Sequence, residues 1–203
     1  MANYHDIRYD MALPTASSGA MVHIKTLTAY SSATLSFVDG TSDVVLDNTY
    51  KTYIFKYINI HPSGDDHEFS VNFSIDTGSN YNVAKTSTYI YTEHGENDAG
   101  GAVNYNGSGN RDLANGTGYQ FLITDVGNDN DQSVSGHLHL FNHSSTTFVK
   151  HFMSSNTAGI ENDYNLSTYV AGYANTTSVV DAVQFKMSSG NIDSGVIKLY
   201  GIS

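Results

Sequence analysis

The sequence predicts an all-β protein, a jelly-roll-like antiparallel β-sandwich of about ten or eleven strands in one domain. Three observations carry that expectation. Apolar and polar residues alternate with a period of two along most of the chain. Clusters of Gly, Asn, Asp and Ser interrupt the alternation at regular intervals, as in sandwiches and barrels. No segment carries an amphipathic helical pattern, and the abundance of Ser, Thr, Asn and Gly disfavours helix, since these side chains compete for backbone hydrogen bonds or cost entropy.

Strands are predicted in order over 21–30, 33–38, 53–60, 69–75, 83–92, 119–124, 135–142, 147–153, 166–173, 179–187 and 196–202. Residues 53–60 are apolar in both phases (Tyr53, Phe55, Tyr57 against Ile54, Ile58, Ile60), which predicts a central strand covered on both sides. Residues 69–75 set Phe69, Val71, Phe73 and Ile75 against Ser70, Asn72 and Ser74, a half-buried strand whose polar face meets water. The turn-rich run of Pro62, Gly64, Asp65 and Asp66 reads as a hairpin loop joining these two. Two long loops remain, 93–118 and 154–165; structureless loops of that length are usually functional or interface-forming. Residues 1–18 are read as an N-terminal arm or extended segment and 19–203 as the sandwich domain.

Composition bounds the function. A chain of 203 residues buries roughly 70% of its unfolded surface, enough for a core without staples. The absence of cysteine excludes disulfides and thiolate sites. Nine Lys and Arg against twenty Asp and Glu give a net charge of −11, which repels phosphate backbones and argues against nucleic acid. No apolar run is long enough for a membrane-spanning helix, and no secretory signal is visible at the start. Catalytic signatures such as G-x-S-x-G or HExxH are absent, and the four glutamates fall in predicted loops or at strand edges. The expectation is therefore a non-enzyme without a cofactor.

Three groups could nevertheless carry chemistry. His137 and His139, two apart on a predicted strand, point to one side, which suits a metal. The plainer reading has Leu138 and Leu140 in the core and the histidines facing solvent or a neighbour. Asp125, Asp129 and Asp131, with Asn128 and Asn130, form an oxygen-rich run that resembles a calcium loop but lacks EF-hand spacing; a hairpin turn needs the same residues. Tyrosines in or beside the long loop, Tyr81, Tyr89, Tyr91, Tyr105 and Tyr119, suit either a protein interface or a sugar-stacking platform.

The blocks Ile24 to Phe37, Tyr53 to Ile60, Phe73 to Tyr81 and, most specifically, the ending Phe185 to Ile202 resemble virion structural proteins of tailed bacteriophages, especially from marine hosts. That resemblance implies a sandwich module on the particle exterior, as head decoration, fibre or tail component, made in the host cytoplasm and located in the virion. It further implies a homo-oligomer, a trimer by analogy, contacting other virion proteins such as the major capsid or tail proteins. Expected partner-binding residues are Tyr4, Ile7, Tyr9, Met11 and Leu13 in the arm, with Tyr91, Tyr105 and Tyr119. The alternative is a carbohydrate-binding or host-receptor-binding module that uses the loop tyrosines.

Overall fold

The computed structural model describes residues 20–160 and 162–202. Among them are twelve strands and no helix: β1 (Met21–Thr28), β2 (Leu35–Val38), β3 (Thr52–Pro62), β4 (His67–Ser74), β5 (Lys85–Gly95), β6 (Gly100–Tyr105), β7 (Gln120–Val126), β8 (Val134–Phe141), β9 (Lys150–Ile160), β10 (Tyr164–Ala174), β11 (Ala182–Met187) and β12 (Ile192–Ile202). Every pairing is antiparallel.

Eight strands pair as one long antiparallel ribbon folded back on itself: β1 with β12, β2 with β11, β3 with β8 and β4 with β7. Lateral pairing of β12 with β3 and of β11 with β4 turns the ribbon into two four-stranded sheets, β1-β12-β3-β8 and β2-β11-β4-β7. That wrapping is jelly-roll topology. Two hairpins are inserted into it, β5–β6 between β4 and β7, and β9–β10 between β8 and β11. They add to one sheet only, extending it to β1-β12-β3-β8-β9-β10-β5-β6. A single bridge, Val126 to Ile160, joins this eight-stranded sheet to the four-stranded one.

The core between the jelly-roll sheets is aromatic. Phe185 of β11 lies 5.5 Å from Phe55, 5.7 Å from Phe69, 6.2 Å from Tyr57 and 6.4 Å from Phe37, ring centre to ring centre. Edge-on and offset contacts at these distances add to plain area burial.

Several expectations need correction. The runs 63–66 and 127–133 are not hairpin loops: each carries the chain from the eight-stranded sheet to the four-stranded sheet or back. Alternation marks where a strand ends but not which strand it pairs with. In β3, Tyr53, Phe55, Tyr57 and Ile60 are buried on the core side; on the other side Ile54 is buried too, but Lys56 is half-buried and Ile58 exposed. A bulge at residues 58–59 reverses the phase there; Asn59 has φ 51°, and opposite it Gly195 has φ 115°. A Cβ at Gly195 would sit 2.4 Å from the Asn59 carbonyl oxygen, so only glycine fits.

In β4 the polar face is covered too. Ser70, Asn72 and Ser74 are buried, whereas Ile75 lies beyond the strand and is exposed. Asn72 accounts for this, because its Nδ2 donates to the carbonyls of Tyr81 (2.6 Å) and Thr117 (3.0 Å) and ties two loops over the strand. The predicted loop 154–165 is absent. β9 continues to Ile160 and β10 begins at Tyr164, with Asn162 and Asp163 at φ 69° and 61° in the tight turn between them. Strand β6 lies inside the other predicted loop, 93–118.

Candidate binding face

Among the described residues, no second layer lies over the outer side of the eight-stranded sheet. Strand β8 shows how its residues are sorted: Leu138 and Leu140 enter the core, while His137 and His139 stand on the outer side with rings 5.0 Å apart. Register carries that phase across the sheet. One row runs His23, Tyr200, Ile54, His139, Met153, Ala171, Thr88. The next runs Thr26, Lys198, Lys56, His137, Ser155, Tyr169, Ile90, Tyr105.

The two halves of this face differ. Over the inserted strands β9, β10, β5 and β6 it is apolar. Among the ten exposed large hydrophobic residues described, seven lie on this face, five of them here: Ile90, Val103, Tyr105, Met153 and Tyr169, with Val103 75% and Tyr169 61% exposed. A groove of about 450 Å³ opens beside them, bounded by Phe141, His151, Phe152, Met153, Ala171 and Tyr173. Over β12, β3 and β8 the face is cationic, with Lys198, Lys56, His137 and His139 as neighbours. Burial, and then the Lys56 charge, holds His137 below the ordinary histidine range. Burial, then His137 and Lys56, does the same to His139.

Neither row holds an Asp or Glu. One group of carboxylates lies instead in the turns at one end of the sandwich. Asp65 accepts the Asn128 backbone N–H at 2.8 Å, the Glu96 N–H donates to the Asp163 carbonyl at 3.0 Å, and Asp66, Glu93 and Asp125 line one cleft of about 270 Å³. Desolvation, then the Asp125 carboxyl, pushes the Asp66 carboxyl above its usual range. Asp125 takes a bond from Thr124 Oγ1 at 2.7 Å, and the carbonyl of Asp129 meets His61 Nε2 at 3.2 Å. Asp131 lines a neighbouring cleft with Glu96 and Asp163. Among the described residues, no three His, Cys, Asp or Glu side chains converge as a metal centre would need.

The tyrosines singled out from the sequence part company. Tyr105 lies on the outer face at the end of β6, its hydroxyl donating to Asp112 Oδ2 at 2.7 Å. Tyr91 packs against the core from the other side of β5. Tyr119 lies over the outer side of the four-stranded sheet, its hydroxyl bonded to Gln184, with Lys186 Nζ 4.5 Å above its ring. Tyr81 is half-buried and Tyr89 fully buried. Tyr4, Ile7, Tyr9, Met11 and Leu13 lie outside the described residues. Sequence reasoning passed over Lys56, Lys198, Met153 and Tyr169. Their strands were predicted, wholly or in part, and their phase is outward, but which strands lie side by side is not written in the alternation. Compared with known protein families, curated proteins and solved structures, the chain matches none.

Proposed function

We propose that the chain is a non-enzymatic structural module of a bacteriophage particle surface, a capsid decoration, fibre or tail component, that works by assembling with copies of itself and with neighbouring virion proteins. The observation that carries this reading is the apolar half-face formed by the two inserted hairpins, which no other described residue covers. Contiguous exposed apolar surface beside a groove is the mark of an interaction site, and here it sits on strands that the jelly roll itself does not require. The occupant favoured is a second copy. Strand β6, at the sheet margin, reads Gly-Gly-Ala-Val-Asn-Tyr and carries no charge or proline to discourage pairing. Jelly rolls recur in viral capsid and lectin domains, and with the phage-like ending of the chain this supports the particle assignment by analogy.

Sedimentation velocity over a wide concentration range tests it. The expected result is an oligomer, with three-fold symmetry as the anticipated stoichiometry. Tyr169→Glu with Met153→Glu is expected to yield a folded monomer. A wild-type chain that stays monomeric at all concentrations overturns self-assembly. Antibody labelling of intact particles tests the virion assignment separately.

A further inference from the structure

The cationic half of the same face has a different occupant. Lys198 and Lys56 are direct cross-strand partners, and Lys56 is in turn paired with His137. Like charges placed directly opposite on neighbouring strands are destabilising. Here they stand in a chain with more than twice as many carboxylates as Lys and Arg, yet no Asp or Glu occupies either row. Among the described residues the single ion pair, His94 with Asp98, lies elsewhere, in the acidic turns. What Lys56 has beside it is an aromatic face, the Tyr200 ring 5.6 Å from its Nζ. The His23 ring closes on Tyr200 at 5.3 Å, and His139 lies 5.0 Å from His137. Unneutralised cations among flat rings, with the Thr26 and Ser155 hydroxyls at either end of the row, form a surface complementary to a ring-shaped anion.

We propose that the outer face of β12, β3 and β8 binds an acidic glycan, one bearing carboxylate or sulfate groups, with Lys56 and Lys198 meeting the charge and Tyr200, His137 and His139 meeting the sugar rings. Neighbouring strands lie about 4.8 Å apart, so Lys198 and Lys56 offer two charges at a spacing that a chain of singly charged sugars can follow. Nucleic acid fits poorly. Its charge density is far higher than that of a chain of singly charged sugars, and two lysines neutralise little of it. The site does not depend on self-assembly through the inserted half.

Titration calorimetry on the full chain tests the assignment with four probes: a hexuronic acid oligosaccharide, a sulfated oligosaccharide, a neutral oligosaccharide of matched length, and an oligoglutamate peptide. The acidic glycans are expected to bind, more weakly as salt rises, and the neutral one and the peptide not to. Lys56→Gln with Lys198→Gln is expected to lower affinity by about ten-fold or more, while Val103→Ser, uncharged and at the far margin of the sheet, leaves it unchanged and so separates this site from the assembly surface. The lysine variant also removes an opposed like-charge pair, so its melting temperature is expected to hold or rise, which excludes misfolding as the cause. Binding of the neutral glycan or the peptide as tightly as the acidic glycans, binding that survives the double substitution, or no binding of either acidic glycan overturns the proposal.

Discussion

The two halves of the eight-stranded sheet are built differently on both sides. Beneath β12, β3 and β8 the interior is a ring of aromatic side chains that meet the four-stranded sheet face to face. Beneath β9 and β10 a network of hydrogen bonds is set among apolar side chains, Phe152, Ala158, Ile160, Leu166 and Val170. Tyr57 shares Ser154 Oγ (2.8 Å) and bonds Asn156 Oδ1. Asn156 Nδ2 donates to the Leu122 carbonyl and to Thr168 Oγ1, both at 2.8 Å, and Thr168 Oγ1 donates to Leu122 O at 2.6 Å. Outside, the order reverses, with charge over the aromatic core and apolar groups over the polar network. Four strands cannot cover eight, so directional bonds and register with β8 join apolar contacts such as Phe152 on Phe73 in holding the inserted hairpins to the rest. The difference separates what folds the chain from what the chain presents.

The largest effect is expected from the aromatic core. Phe185→Ala empties the centre of four ring contacts, and such truncations typically cost 3–5 kcal/mol, readable as a fall in urea midpoint at unchanged slope. Asn156→Leu tests the inserted half. It removes one acceptor of Tyr57 and one donor to the Leu122 carbonyl, leaving each with a single buried partner, Ser154 Oγ and Thr168 Oγ1, and roughly 1–3 kcal/mol is expected for the lost bonds. An Asn156→Leu loss as large as that of Phe185→Ala breaks the comparison, because the hairpins would then belong to the same cooperative core.

A third test sits where the inserted half meets the four-stranded sheet. Lys85, the first residue of β5, is fully buried. Its Nζ donates to Asn72 Oδ1 at 2.5 Å and to the Val83 carbonyl at 2.8 Å, anchoring the β5–β6 hairpin to β4. Burial lowers its pKa from 10.5 to about 7. A depressed folded value means that above about pH 7 the unfolded chain holds a proton the folded one has released, so stability rises with pH from there toward 10.5, is lost as pH falls from 10.5 back to 7, and changes no further below that. The slope approaches at most about 1.4 kcal/mol per pH unit. Denaturant unfolding between about pH 6 and 9, below the range where tyrosines ionise in the unfolded chain, is expected to show this rise in the wild type and a flatter profile in Lys85→Met. Equal slopes in the two place the charge change elsewhere.

The sequence made the strands legible more readily than their arrangement. Alternation located eleven of them, because burying one face leaves a period-two trace wherever the other face is wet. It failed where both faces are buried or both are polar. Ser70, Asn72 and Ser74 look like a solvent face until two loops close over Asn72. Ser154 and Asn156 look like a loop until Tyr57, Leu122 and Thr168 supply partners. The binding face was less legible still. His137 and His139 could be placed from one strand, but Lys198, Lys56 and His137 become a row only once β12, β3 and β8 lie side by side, and those strands come from distant parts of the chain. Register over such separations depends on the whole wrapping, which no local pattern encodes.

The smallest expected change in stability sharpens the comparison most. Val103 is three-quarters exposed on β6, the margin of the inserted half, and faces water in the single chain. Val103→Ser removes apolar surface without opening a cavity or orphaning a buried group, so the monomer's unfolding free energy is expected to move by no more than about 0.5 kcal/mol. If the apolar half-face is there to be covered by another copy, the same substitution weakens association measurably, and sedimentation at fixed concentration shifts toward the monomer. A loss of monomer stability well beyond that bound gives the opposite reading: the valine then serves the hairpin's own packing, and the apolar surface over β5 and β6 is part of how the insert folds.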